Sequence, residues 1–270
     1  MRRSRLTALV LAAAAGTQGL WGCGKKSDIS MPIYAETAVQ TPTAGAVGGA
    51  EISGDNYNSD EYYTKIKDSI DNAVPDEQPL ELGILGNDVI TPAEDDEEAE
   101  LGSYKLSSSG VKLYYDDTEF PDELLLTLEK YFICFPSADY STYLKCVFPS
   151  YIDEMESFLK KEFDYDLRMS FSKQCQGLAD NMNGDYRITR IKLETAPQYA
   201  EDKDNIEEYF SSLNDVFGKD YYSQVKSECD DLIDACFYVM GEDSYGNENV
   251  IVSGYEIVFA VKDGKYYTFG

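Results

Sequence analysis

From residue 102 onward, apolar and polar positions alternate in two distinct periods. Tyr104 and Leu106, then Val111, Leu113 and Tyr115, recur every second residue around Ser107-Ser-Ser-Gly110. This spacing predicts a strand pair. Asp122 to Cys134 changes to a helical period, with Leu124, Leu125, Leu128, Phe132 and Ile133 on one face and Pro121-Asp122 as its start. Three more helices are expected: Tyr140–Val147, stopping before Pro149; Tyr151–Phe163; and about 167–182. After Asn183-Gly184-Asp185 the period returns to two, predicting a strand from Tyr186 toward Pro197. A helix over 202–217 follows, and 225–230 reads as helix or connector. Three strand signals then close the chain: 232–240, 250–261 and 266–269. Asp243-Ser-Tyr-Gly246-Asn joins the first two, and Asp263-Gly264, a type I′ dipeptide, joins the last two. The fold class expected is α+β, with N-terminal helices packed on a curved antiparallel sheet.

Residues before 102 carry a weaker pattern. Thr37–Gly54 is rich in Thr, Pro, Ala and Gly, and Glu94–Glu100 is an acidic run of the kind that is usually solvated. Tyr62, Ile66, Ile70 and Val74 recur every fourth residue, so one short helix is expected around 59–74. Residues 23–101 are therefore expected to form a long disordered, acidic tether. Over 24–100 a flexible coil would span roughly 50 Å. The folded domain is expected over 102–270.

The first 22 residues differ again. Arg2, Arg3 and Arg5 precede an apolar run from Leu6 to Gly16, which is too short to span a bilayer and reads as an export signal. Arg2-Arg3 hints at twin-arginine export, but Arg5 stands where that signal prefers an apolar residue, so the general secretory route is expected. Leu20-Trp21-Gly22-Cys23 resembles a lipobox, with Trp21 departing from the usual small residue. The resemblance implies a lipoprotein: cleavage before Cys23, acylation of its thiol, and acyl chains of the palmitate type holding the chain to the extracytoplasmic face of the cell membrane.

Charge narrows the partners. The chain has 23 basic and 50 acidic residues and no histidine. Removing 1–22 takes three arginines and no acid, leaving 20 basic against 50 acidic residues, a net charge of −30. Such a charge repels nucleic acid and anionic headgroups. The anchor must then come from lipid on Cys23. The expected partners beyond the membrane are an envelope protein, a glycan or a small apolar ligand.

Without histidine, Ser-His-Asp and Cys-His catalysis and the common zinc sites are excluded. General acid–base work would fall to Asp, Glu, Lys, Tyr or Cys. Asp230, Asp231 and Asp234 are the nearest candidates for a carboxylate base, weighed against a solvated acidic helix end. Asp180–Asp185 fails calcium-loop spacing: with Gly184 at loop position six, Ala179 and Arg190 occupy the terminal ligand places. No cofactor is expected. With Cys23 assigned to lipid, Cys134, Cys146, Cys175, Cys229 and Cys236 remain, an odd number and without a CxxC pair. Cys134–Cys146 and Cys229–Cys236 are candidate bridges; buried thiols are the favoured alternative.

The run Leu125-Thr-Leu-Glu-Lys-Tyr-Phe132, then Ala138-Asp-Tyr-Ser-Thr-Tyr-Leu144 and Phe148-Pro-Ser-Tyr151, resembles the first helices of the nuclear transport factor 2-like cone fold. Val261-Lys-Asp-Gly-Lys-Tyr-Tyr-Thr-Phe269 is similar to that family's last hairpin, with Tyr266 in place of a frequent Trp. The resemblance covers 120–270 and leaves 197–230 as an added helical segment. It implies a sheet curved around helices, enclosing an apolar pocket that in some relatives holds a catalytic Asp. No motif carries such a residue to a position here. The expected function is a membrane-anchored, non-enzymatic binding or scaffold module. The alternative is a small isomerase or dehydratase using a buried carboxylate.

Overall fold

A computed structural model describes residues 58–96, 98–198 and 204–270. Cys23, the export signal and Thr37–Gly54 lie outside the described residues.

Helices form where an acceptor side chain meets an apolar stripe. Helix α1 (Ser59–Asp71) is capped by Asn58, whose side chain accepts from the Glu61 amide. After it come α2 (Asp122–Ile133), α3 (Tyr140–Cys146), α4 (Pro149–Phe163), α5 (Leu167–Asn181), α6 (Asn205–Phe217) and α7 (Tyr221–Glu228). Asp139, Asp166, Asp204 and Asp220 cap α3, α5, α6 and α7 in the same way. Helix α4 starts two residues earlier than the apolar period predicts. Pro149 opens it, at the one place where a missing N–H costs nothing. The 225–230 stretch is largely helical, because Asp220 starts α7 at Tyr221.

Among the described residues six strands form one sheet in sequence order: β1 (Tyr104–Leu106), β2 (Lys112–Tyr114), β3 (Tyr186–Thr195), β4 (Asp231–Asp243), β5 (Glu248–Lys262) and β6 (Lys265–Tyr267). The class is α+β, as the pattern predicts. One pair departs from the antiparallel expectation. Strand β2 runs parallel to β3, with Lys112 opposite Arg190 and Tyr114 opposite Lys192. The helices α2–α5 form the crossover that a parallel pair needs.

The sheet's two faces are clothed differently. On one, Leu113, Ile191, Leu193, Phe237 and Val239 join the main core, which also takes in Leu124, Leu125, Leu128 and Phe132 of α2. Phe171 is fully buried there, its ring 4.6 Å from Tyr143 and 5.2 Å from Phe135. A second aromatic knot gathers at the C-terminus, where the Phe269 ring lies 5.0 Å from Phe210 and 5.4 Å from Phe148. On the opposite face, among the described residues, Leu101, Tyr114, Cys236, Tyr238 and Met240 form a small cluster with Tyr104 and Val250 packed against it. Gly241 sits where β3 and β4 approach closely. A Cβ there would meet the Arg187 carbonyl oxygen at 2.9 Å and Ile251 Cδ1 at 2.7 Å.

The stretch 58–101 is part of the folded unit, which corrects the expected linker over those residues. Helix α1 is docked: Ile66 and Ile70 are buried in the main core, α1 packs on α5, and Tyr63 donates to Asp180 at the end of α5. The Arg168 guanidinium binds the main-chain oxygens of Ile70, Asp71 and Ala73, closing the C-terminal end of α1. Burying two isoleucines supplies a few kcal/mol, enough to hold a helix that alone would be marginal. Residues 84–90 then run along β1 as a strap. Gly86 N donates to Leu106 O at 2.9 Å, Ile90 N to Tyr104 O at 2.8 Å, and Tyr104 N to Ile90 O at 2.9 Å. Between Leu85, opposite Ser107, and Ile90, opposite Tyr104, the strap has two more residues than β1, so it bulges.

The five described cysteines are free; four are buried and Cys229 is partly exposed. Neither candidate bridge is formed. Burial pushes the Cys134, Cys146 and Cys175 thiols up, Cys146 to about 12, so they pack as small apolar groups.

Candidate binding groove

The ends of β1, β2 and β3 and the loop after β2 border an open groove of about 740 Å³. Alternation along β2 sends Leu113 into the core and Tyr114 to the opposite face. Tyr115, the next residue, reaches toward α2 and donates to Asp122. The Tyr104 and Tyr114 rings lie 5.1 Å apart, tilted at 47°. Asp116 and Asp117 form the rim on the β2 side, with Glu119 and Phe120 beyond; Val89 of the strap closes the other side.

The ionic groups of the groove are engaged with one another. Lys105 Nζ donates to Asp122 at 3.1 Å and lies 3.3 Å from Asp117. Burial opposes its charge, but Tyr115, Asp122 and Asp117 outweigh burial and hold its pKa above the usual lysine range. Lys192 pairs with Glu194 at 2.6 Å. Asp116 accepts from the Thr118 hydroxyl at 2.7 Å and amide at 2.9 Å, which keeps it below the ordinary carboxylate range. Thr195 donates to Glu119. Burial, then the hydrogen bond to Asp122, raises the Tyr115 phenol to about 12.

Below the groove, on the thinly covered face, lies a ladder of ion pairs. Arg190 Nη2 is 2.8 Å from Glu98 and 2.7 Å from Glu248; Lys112 Nζ is 2.6 Å from Glu98; the Tyr114 hydroxyl donates to Glu98 at 3.0 Å. Burial works against the Glu98 charge, yet Lys112, Tyr114 and Arg190 together leave its pKa lowered. Glu98 belongs to the acidic run expected to be solvated. Instead it fixes the turn before Leu101 to the sheet, because three donors converge where it lies.

Two carboxylates have raised pKa values, and neither lines the groove. Glu129 of α2 is fully buried under the β1–β2 turn, and burial raises it. One of its oxygens accepts from Ser107; Oε2 has no partner. Its signal was in the sequence: Leu125, Leu128 and Phe132 place position 129 on the apolar stripe of α2. Asp234, one of the three aspartates singled out, stands on β4 and is raised by burial; Asn205 of α6 donates to it at 2.8 Å and Glu256 lies against it. Asp230 and Asp231 are exposed at the strand start, where Asp230 accepts from the Asp263 amide at 2.8 Å. The structure does not bring these three into one site. Asp180–Asp185 is a turn: Asn183 and Gly184 take positive φ and Gly184 N donates to Ala179 O at 2.8 Å, ending α5.

Among the described residues no helix is long and apolar enough to cross a membrane. No family model, curated protein or solved structure matches the chain.

Proposed function

We propose that this chain is a lipid-anchored, extracytoplasmic binding protein that works through the groove at the ends of β1–β3 and does no covalent chemistry. The observation that carries the reading is the commitment of the groove's charges. Every lysine facing it is paired with an acid, Asp116 is held ionised, and the carboxylates with raised pKa lie elsewhere. A general acid or base needs a proton poised near the working pH and a free path to substrate. In the groove Asp116 is held ionised, burial and Asp122 raise the Tyr115 phenol to about 12, and both lysines are engaged by acids. These groups suit recognition, where fixed charges and half-buried tyrosines define a shape.

The anchor rests on the lipobox-like Leu20-Trp21-Gly22-Cys23 and on charge. A chain of net −30 is driven from an anionic surface, so only inserted acyl chains would keep it there. The fold reading that accompanies it is a nuclear transport factor 2-like cone with α6 and α7 inserted between β3 and β4. Its support is the order of helices before a meander and the closing Gly264-Lys-Tyr-Tyr hairpin.

The test is cell fractionation with Cys23→Ser. The parent chain is expected in the membrane fraction, extracted by detergent and not by salt. The variant is expected in the soluble extracytoplasmic fraction. A variant that stays with the membrane would reject the anchor.

A further inference from the structure

Six large apolar side chains are exposed among the described residues, and four belong to one edge of the sheet: Ile84 (76 % exposed), Val89 (57 %), Leu106 (42 %) and Ile90. The strap's bonds to β1 place all four along Tyr104–Ser108, a length of about 13 Å at the strand rise. Val89 also borders the groove, so patch and groove form one surface. The segment that carries the strap has charge of one sign. From Asp76 to Leu101 the chain carries ten acidic residues and no basic one. The nearby lysines, Lys105 and Lys112, are occupied by Asp122 and Glu98.

We infer that this edge docks a polypeptide segment in which Lys or Arg alternates with aliphatic residues. A second copy of the chain is disfavoured, because two such surfaces would bring like charges together over a small apolar contact. A lipid surface is disfavoured by the same sign of charge. A basic, apolar segment satisfies both features: its side chains cover Ile84, Val89, Ile90 and Leu106 while its cations meet the acid-only stretch. The bulge opposes regular strand addition, so the contact is made by side chains. The inference names the partner for the binding role proposed above. Its test needs no membrane, so the anchor and the partner can fail separately.

The experiment uses the full chain carrying Cys23→Ser and a fluorescent alternating Lys–Leu peptide at near-physiological salt, read by anisotropy. Alternating Lys–Ser and Glu–Leu peptides are the controls. Lys–Leu is expected to bind; Lys–Ser is expected to bind at least about tenfold more weakly, and Glu–Leu not at all. Leu106→Lys or Ile84→Lys, at exposed positions that leave the fold intact, should each weaken Lys–Leu by about tenfold, while Tyr245→Lys on the β4–β5 turn, three strands from β1 in the sheet, changes it less than about twofold. Amide exchange on the unsubstituted chain should show peptide protection at 84–90 and 104–108. Equal binding of Lys–Ser, an equal effect of Tyr245→Lys, protection elsewhere, or no binding of Lys–Leu would each overturn the inference.

Discussion

The two faces of the sheet are held by different forces. One carries α2 to α5 and a dense aromatic core in which Phe171, Tyr143 and Phe135 interlock. The other carries five clustered side chains and the Glu98–Arg190–Glu248 ladder, and at the β1 edge beside it runs a strap with only four residues between its two pairings. Dispersion and burial stabilise the first face; Glu129 apart, they carry no titrating charge, and charge screening by salt leaves them almost unchanged. Paired charges at partial exposure add little net stability, and they respond to salt and pH. The comparison teaches where the chain can spare surface for a partner: the side whose loss would not unfold it.

The largest expected effect falls on the first face. Phe171→Ala should cost about 3–5 kcal/mol in denaturant unfolding, since a fully buried ring leaves a cavity. Ile70→Ala should cost about 2–4 kcal/mol. The second value matters more for architecture: were 58–101 a linker, Ile70→Ala would leave the midpoint unchanged. Gly241→Ala should cost about 1–3 kcal/mol, because the added carbon presses on a main-chain oxygen that cannot move aside.

Charge variants sharpen the contrast from the other side. Glu98→Gln should lose about 1 kcal/mol at neutral pH, a small value because Arg190 keeps Glu248. Its pH dependence has a definite sign. The folded pKa of Glu98 is lowered, so its contribution is present above the unfolded carboxylate pKa and vanishes as pH falls through the folded one. Thermal unfolding of the Gln variant should therefore be flatter on the acid side than that of the parent. Glu129 behaves oppositely. Its folded pKa is raised, so its contribution is complete below the unfolded pKa and is lost as pH rises through the folded value. Glu129→Gln should keep the Ser107 contact and remove that loss, a difference that grows from the unfolded carboxylate pKa up to the folded one and is constant above it.

Much of the first face was legible in the sequence. Helices α2, α3 and α5 follow their apolar stripes within a residue or two, and Asp263-Gly264 turns β5 into β6 as its dipeptide demands. The four-residue recurrence of Ile66 and Ile70 marked α1, yet not its docking, which depends on α5 and Arg168 a hundred residues away. The second face was harder to read for the same reason. Leu80, Leu82 and Ile84 alternate weakly into the strap at its edge, but the strap's bulge breaks the period that would have marked a strand. Glu98 looked like one acid of a solvated run. Only the parallel pairing of β2 with β3, a contact between distant segments, brings Lys112 and Arg190 together beneath it. The cap aspartates were visible as residues and acquired meaning only with the helices they start.

Native-state hydrogen exchange of the full chain, at low and at high salt, tests most directly whether one face holds the fold while the other is free to work. The amides of Leu128 in α2 and Phe171 in α5 should exchange only through global unfolding, with the same protection at both salt concentrations. Gly86 and Ile90, bonded to β1, and Leu101, beside Glu98, should open locally, with lower protection that falls as salt screens the ladder. Equal protection on both faces, or strap amides as slow as those of α2 in high salt, would contradict the division of labour proposed for this sheet.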